Sequence, residues 1–314
     1  MAGPDEQGVR IGLSAVVIAL RDRKACVLTT SGDGESDTAL PFGPFDPARD
    51  RTFEIALREF VTAQTGFRLG FVEQLYTFGD LGRGSPRATQ GPERRREVSI
   101  GYLALTADAA DAPQAEARWT PVLDVFPWED RRDGAPNCVT PLADALSSWA
   151  APDPRRRLRA ETLFATTPAH RWNEEWVLER YELLYEAGLV AEAARDQQNE
   201  AASLAPGRPM ASDHRRILAT GLGRLRSKLK YRPVLFDLMP ETFTLSDLQT
   251  GAEAVAGLSL HKQNFRRGVE RTGLVARTGR VSGATGGRPA ELFRRVASDR
   301  SAGAALGLPL PAQR

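Results

Sequence analysis

Residues 244–273 read TLSDLQTGAEAVAGLSLHKQNFRRGVERTG. The stretch divides itself into two short helices. Thr244 and Asp247 stand at the spacing of a capping box, in which the Thr hydroxyl accepts a backbone N–H and the acid three residues on reaches back. The helix they open runs to about Val255, and Gly257 ends it by taking a left-handed backbone at little steric cost. Ser259 is the expected cap of the next helix, over residues 260–272, and Gly273 is its stop. Two short helices joined by a tight glycine turn are the helix-turn-helix plan.

On a wheel of about 100° per residue, Phe265, Val269 and Thr272 fall on one face of the second helix. The opposite face presents Gln263, Asn264, Arg267 and Arg271, with Lys262 and Arg266 on a flank. Asn and Gln can grip adenine bidentately, Arg can grip guanine, and Lys or Arg can neutralise phosphate. A face that only meets solvent would carry Glu beside its bases, and Glu270 is the one acid here. Residues 274–277 and 288–293 then read as two short strands around a Gly/Ser/Thr-rich wing at 278–287, placing Arg280 and Arg288 against a DNA backbone or a narrow minor groove. The glycines at 283–287 are not followed by Lys-Ser/Thr, so they do not form a phosphate loop. Residues 233–239 are apolar enough for a first helix of the same small domain.

Charge follows this reading. The chain of 314 residues has a net charge of only +2. Yet residues 261–300 hold ten Lys or Arg against three Asp or Glu, so the remainder is acidic. Such asymmetry is the footprint of a nucleic-acid-binding end. No uncharged apolar run approaches the roughly 20 residues of a membrane helix. The first ten residues lack a basic-then-apolar leader. A cytoplasmic protein with no membrane partner is expected. Cys26 and Cys138 are far apart, and no Cys/His pair has zinc spacing.

Upstream, the pattern is mixed. Residues 9–20 form a β-branched run suited to a central strand, and 25–29, 72–78, 98–106 and 114–124 offer further strands. Residues 52–65 have helical spacing closed by Gly66. Residues 79–97 are glycine- and arginine-rich and read as a loop. Helices are expected from 155, over 172–187 and over 213–231. The last carries a stripe of Leu218, Leu222, Leu225 and Leu229 that is either core or a dimer seam.

The sequence Leu260-His261-Lys262-Gln263-Asn264-Phe265-Arg266-Arg267, with Gly286-Gly287-Arg288-Pro289-Ala290 and Phe293, resembles the winged helix of the Nudix-related regulators of NAD metabolism, the NrtR group. Residues 213–231 and 243–245 fit the same group, while residues 73–80 and 207–216 are most similar to its alphaproteobacterial NadQ subgroup. The resemblance implies an α+β chain. A Nudix-like α/β/α sandwich over 1–231, with a helical insertion at about 150–208, is followed by a winged helix-turn-helix over 232–297 and a flexible tail over 298–314. It also implies a homodimeric repressor of NAD biosynthesis genes, bound to double-stranded operator DNA and controlled by an adenine nucleotide: ATP, or alternatively NAD or ADP-ribose.

A working Nudix hydrolase needs G-x5-E-x7-R-E-U-x-E-E-x-G-U, whose glutamates hold Mg²⁺ beside a pyrophosphate. Aligned on Gly66, this chain has Phe60, Ala63 and Gln64 where those glutamates belong. A one-residue slide rescues Arg58-Glu59 but leaves Thr62 and Ala63 in the adjacent pair. No metal and no catalytic residue is therefore expected, and no cofactor beyond the effector nucleotide. The competing reading is a Mg²⁺-dependent hydrolase of ADP-ribose-like substrates with an accessory DNA domain. Candidate effector contacts are Phe42 and Phe78 for a base, Arg58, Arg83 and Arg94–Arg96 for phosphate, and Trp172 and Asn173 from the insertion.

Overall fold

Seven consecutive residues of the first strand decide the layers. Strand β1 (Val9–Arg21) is buried without a break from Leu13 to Ala19, as a strand covered on both faces must be. Its alternation divides two cores. Leu13, Ala15 and Val17 enter one apolar cluster, and Val16 and Ile18 enter another. The structure is a computed structural model that describes residues 9–31, 38–70, 72–80, 96–107, 117–197, 204, 206–283 and 289–296. Arg83, Arg94, Arg95, Arg288, most of the 79–97 loop and the tail at 298–314 lie outside the described residues, as does the side chain of Arg96.

The other strands of this sheet are β2 (Lys24–Ser31), β3 (Thr38–Ala39), β4 (Phe42–Pro44), β5 (Val72–Phe78), β6 (Arg96–Leu105) and β7 (Arg118–Pro121). The sheet runs β3-β2-β1-β6-β5, with β4 also on β1 and β7 also on β2. The β1–β6 pair is parallel and the others are antiparallel. Helix α1 (Phe53–Thr65) covers one face with Ala56, Leu57 and Val61. Thr52 caps it by accepting from the Ile55 N–H at 3.2 Å, and Gly66 closes it in the left-handed region at φ 76°.

The opposite face is covered by a helical layer that starts earlier than expected. It begins with α2 (Val122–Val125) and a 3₁₀ turn (Pro127–Glu129), not near residue 150. It continues as α3 (Val139–Ala150), α4 (Pro154–Phe164), α5 (Val177–Glu186) and α6 (Ala191–Gln197). The helix expected over 172–187 starts only at Val177. The Asn173 side chain accepts from the Glu175 N–H at 3.0 Å, and that local turn competes with helix. Helix α7 (His214–Tyr231) is the last of this layer, and Gly221 lets it approach β1 so closely that a Cβ there would lie 3.0 Å from Val16. The stripe Leu218, Leu222, Leu225 and Leu229 is 0–1% exposed. It is core of this chain, not a dimer seam.

The C-terminal domain follows. A 3₁₀ turn (Val234–Leu238) replaces the α-helix expected there. Then come β8 (Thr242–Phe243), α8 (Leu245–Ala256), α9 (Lys262–Thr272), β9 (Val275–Val281) and β10 (Glu291–Arg295), with the strands in the order β8-β10-β9. Strand β9 extends through residue 281, so Arg280 stands on a strand and not in the wing loop. This domain is not set apart from the rest. One continuous cluster of buried apolar residues runs from Val16 and Ile18 through α7 to Leu248, Phe265 and Phe293.

Candidate DNA-binding face and ligand cleft

The helix-turn-helix is built from the bonds the sequence offers. The Asp247 N–H donates to Thr244 Oγ1 at 3.1 Å and the Thr244 N–H donates to Asp247 Oδ2 at 3.0 Å, completing the capping box. Gly257 ends α8 at φ 68°. The turn is then bracketed by α8 side chains: Gln249 Nε2 donates to the Leu260 carbonyl at 2.8 Å, and the Leu260 N–H donates to Glu253 Oε1 at 2.9 Å. Ser259 does not cap α9. Its hydroxyl donates to the Arg132 carbonyl at 2.6 Å, so α9 begins at Lys262 with His261 as N-cap and no side-chain cap bond.

Phe265 and Val269 are fully buried, and this fixes the rotation of α9. Lys262, Gln263, Asn264, Arg267 and Arg271 are exposed together on the outer side, and Arg280 is exposed on β9. Arg267 lies 3.4 Å from the Asn264 amide oxygen, so the two side chains form one hydrogen-bonding edge. Arg266 departs from the expected set. It is half-buried and donates to Ser246 Oγ at 2.9 Å, tying α9 to the start of α8.

A cleft of about 300 Å³ opens between β1, β4, the ends of β5 and β6, and the start of α7. Phe42 and Phe78 line it. Of the other candidates among the described residues, Arg58, Trp172 and Asn173 do not line it. Arg58 pairs with Glu54 at 2.8 Å and donates to the Gly70 carbonyl at 2.7 Å. Trp172 is packed between the guanidiniums of Arg131 and Arg180, at 3.8 and 3.7 Å from its ring centroid. Asn173 is spent on its own turn.

Residues outside the expected effector contacts also line the cleft: Ser14 and Ser99, whose hydroxyls lie 3.2 Å apart, and Glu97, Asp213 and His214. His214 is 5% exposed and accepts the Leu40 N–H on Nδ1 at 3.1 Å. Its ring lies 5.0 Å from that of Phe42. Burial, with Arg195 nearby, lowers its pKa from the usual 6.5 to about 4. Only the three-dimensional convergence of β1, β6 and α7 brings these residues together, and three scattered histidines gave no signal of it.

Where cleft layer and winged helix meet, Glu129 is completely buried. It accepts from Arg180 Nε at 2.6 Å and from Arg226 Nη1 at 2.6 Å. Burial alone pushes its carboxyl up, but the two guanidiniums hold it below the ordinary carboxylate range. Arg226 also donates to the Val255 carbonyl of α8 at 2.9 Å, and the Arg131 N–H to the Gly257 carbonyl at 2.7 Å.

On α1, Gln64 accepts from the Phe42 N–H at 3.2 Å and donates back to the Phe42 carbonyl at 2.6 Å, and Phe60 packs against Gly43. In the alignment on Gly66, Phe60 and Gln64 bring a phenyl ring and an amide to positions where the Nudix pattern has carboxylates. Among the described residues no group of three or more His, Cys, Asp or Glu is placed to hold a metal ion, and no helix is long and apolar enough to cross a membrane.

The architecture is that of a Nudix-like domain followed by a winged helix-turn-helix. Residues 235–295 match the NrtR DNA-binding winged helix domain family. Over 90 residues the chain is 38% identical to the ADPR responsive transcriptional repressor NtrR of Acinetobacter baylyi, an alignment covering 29% of this chain and 36% of that relative. The crystal structure of Shewanella oneidensis NrtR complexed with a 27mer DNA shares the fold, with TM-score 0.54 and 20% identity over 91% of this chain and 93% of that one. A MutT/nudix family protein from Enterococcus faecalis does so with TM-score 0.51 and 14% identity, over 91% and 88%.

Proposed function

We propose that this chain is a transcriptional repressor that binds operator DNA through α9 and is controlled by a nucleotide of the ADP-ribose type held in the Nudix-like domain. The observation that carries the reading is the exposed edge of Lys262, Gln263, Asn264, Arg267 and Arg271 on a helix whose inner face is locked by Phe265 and Val269. The winged helix family match supports it, as does the name of the Acinetobacter relative, which describes a repressor responsive to ADPR. Two copies on a near-palindromic site would place two such helices in successive major grooves, in the cytoplasm and upstream of NAD biosynthesis genes. An effector relieves repression only if it binds better to a conformer that fits DNA less well.

Hydrolysis is not part of this reading. Gln64 uses both an acceptor and a donor on the Phe42 backbone, which a glutamate could not do, and Phe60 and Ala63 have no oxygen to offer a cation.

The test is a mobility shift with the purified chain and the DNA upstream of its own gene, alone and with ADP-ribose, ATP or NAD. Specific binding released by ADP-ribose is the expected result. Binding that competitor DNA of random sequence removes equally would overturn the operator reading, and formation of AMP and ribose 5-phosphate from ADP-ribose with Mg²⁺ would restore the hydrolase.

A further inference from the structure

The hairpin of β1 and β2 closes on two residues. Arg21 stands opposite Lys24 in the strand register, so Asp22 and Arg23 form the whole turn. Both adopt the left-handed region, at φ 49° and 62°, as the two central residues of a type I′ turn must. Such turns are ordinarily filled by Asn-Gly or Asp-Gly, because glycine takes the second position without steric cost. Here that position holds an arginine, in a backbone that its Cβ resists. Strain of this kind clusters where a side chain is used.

Packing fixes where this arginine stands. Leu20 of β1 rests on Gly251 of α8, where a Cβ would lie 2.6 Å from the leucine Cδ1. Arg23 is exposed and reaches Thr250 Oγ1 of α8 at 3.5 Å. Among the described residues this long contact is the one hydrogen bond of its guanidinium, which has five N–H groups to offer. Thr250 and Ser246 lie one turn apart on the same side of α8, and Ser246 accepts from Arg266 of α9 at 2.9 Å. A continuous surface thus leaves the outer edge of α9, passes over Lys262 and Arg266, crosses α8 at Ser246 and Thr250, and ends at Arg23. The acids of the hairpin and of α8 have partners of their own. Asp22 lies 3.8 Å from Arg21, Asp247 closes the capping box, and Glu253 accepts from Gln249 and from the Leu260 N–H. In a helix-turn-helix the second helix enters the major groove and the first crosses the backbone. The side of α8 that carries Thr250 is therefore the side that phosphates approach.

Resting on the reading of α9 as the operator-binding helix, we propose that Arg23 binds a DNA phosphate, so that the Nudix-like domain itself grips the backbone beside the groove that α9 enters. A guanidinium can give a phosphate two N–H groups side by side. The contact carries no sequence information and adds affinity for any duplex. It also gives one strand two ends with two tasks: β1 lines the ligand cleft at residues 12–14, and its turn holds DNA.

Fluorescence anisotropy on the full chain tests this over a series of salt concentrations, with the duplex upstream of its own gene and a duplex of random sequence. Arg23→Gly suits the left-handed backbone, so the variant keeps the turn and should fold. It is expected to weaken both duplexes by the same factor, on the order of fivefold at about 0.1 M salt. The slope of log affinity against log salt should fall by about 0.9 for each chain bound, the mark of one lost phosphate contact. Arg23→Lys, which keeps the charge, should keep the slope. An unchanged slope in a folded Arg23→Gly overturns the assignment while leaving α9 as the reading helix. So does a loss confined to the upstream duplex, which would make the turn a support for α9. Failure of the wild-type chain to bind either duplex overturns the DNA reading itself, and this inference with it.

Discussion

Arg267 and Arg266 are neighbours in sequence with opposite assignments. The guanidinium of Arg267 is exposed beside Asn264, whereas that of Arg266 is held by Ser246. Arg267→Ala is expected to weaken operator binding by about 1–3 kcal/mol while leaving binding to random DNA little changed, as fluorescence anisotropy on the two DNAs would read. Arg266→Ala should instead lower the melting temperature and affect both DNAs alike; sequence discrimination lost only in Arg266→Ala would reverse the assignment. His214 makes a prediction in pH. Its folded pKa of about 4 lies below the unfolded value near 6.5, so below pH 6.5 the unfolded chain takes up a proton that the folded chain refuses. The stability it contributes is complete above that pH and falls as pH drops toward 4, by at most about 1.4 kcal/mol per pH unit. Melting curves between pH 7 and 4.5 should show the loss, with a shallower slope in His214→Gln; equal slopes in the two proteins would remove His214 as the cause. The wheel found Arg267 because a helical period places it without knowledge of the rest of the chain. It could not separate Arg266, whose partner is twenty residues away on another helix, and it had no means of finding His214, which depends on the packing of three elements.

Helices α8 and α9 were legible because their ends are written in local chemistry. A capping box, two glycines and an alternation of apolar positions need no tertiary context. Thr244→Ala should therefore cost about 1 kcal/mol in chemical denaturation, with the loss confined to stability and operator affinity recovered under folding conditions. Legibility failed where a side chain had two choices. Ser259 has the chemistry of a cap, but the Arg132 carbonyl lies within reach and takes its hydroxyl, so α9 starts later. The helix expected from residue 172 failed in the same way, at Asn173. Strand β8 is two residues long and has its meaning only beside β10, where Phe243 stands opposite Phe293. No period can announce so short a strand.

Across the whole molecule, the sensor-like layer and the winged helix share one apolar core and one buried ionic centre. The division at residue 231 that the resemblance implies is crossed by this shared core. Glu129→Gln leaves two buried guanidiniums without a countercharge. It should destabilise the chain by about 3–5 kcal/mol, and the loss should appear in one unfolding transition reported equally by circular dichroism and tryptophan fluorescence. Two separated transitions, with the winged helix melting at its wild-type midpoint, would show that Glu129 does not join the units.

The turn of the helix-turn-helix has one more property. At Gly257 a Cβ would stand 2.4 Å from the Glu129 carbonyl oxygen and 2.8 Å from Arg226. The glycine that every self-contained turn of this kind needs for its backbone is here also demanded by the neighbouring layer. Portability suffers accordingly. A recognition module grafted from a relative onto this body must bring a turn as bare as this one, and the body it joins must keep its carbonyl at residue 129 where the turn expects it. New DNA specificities in this architecture are thus more accessible by exchanging the outward residues of α9 in place than by shuffling the domain whole.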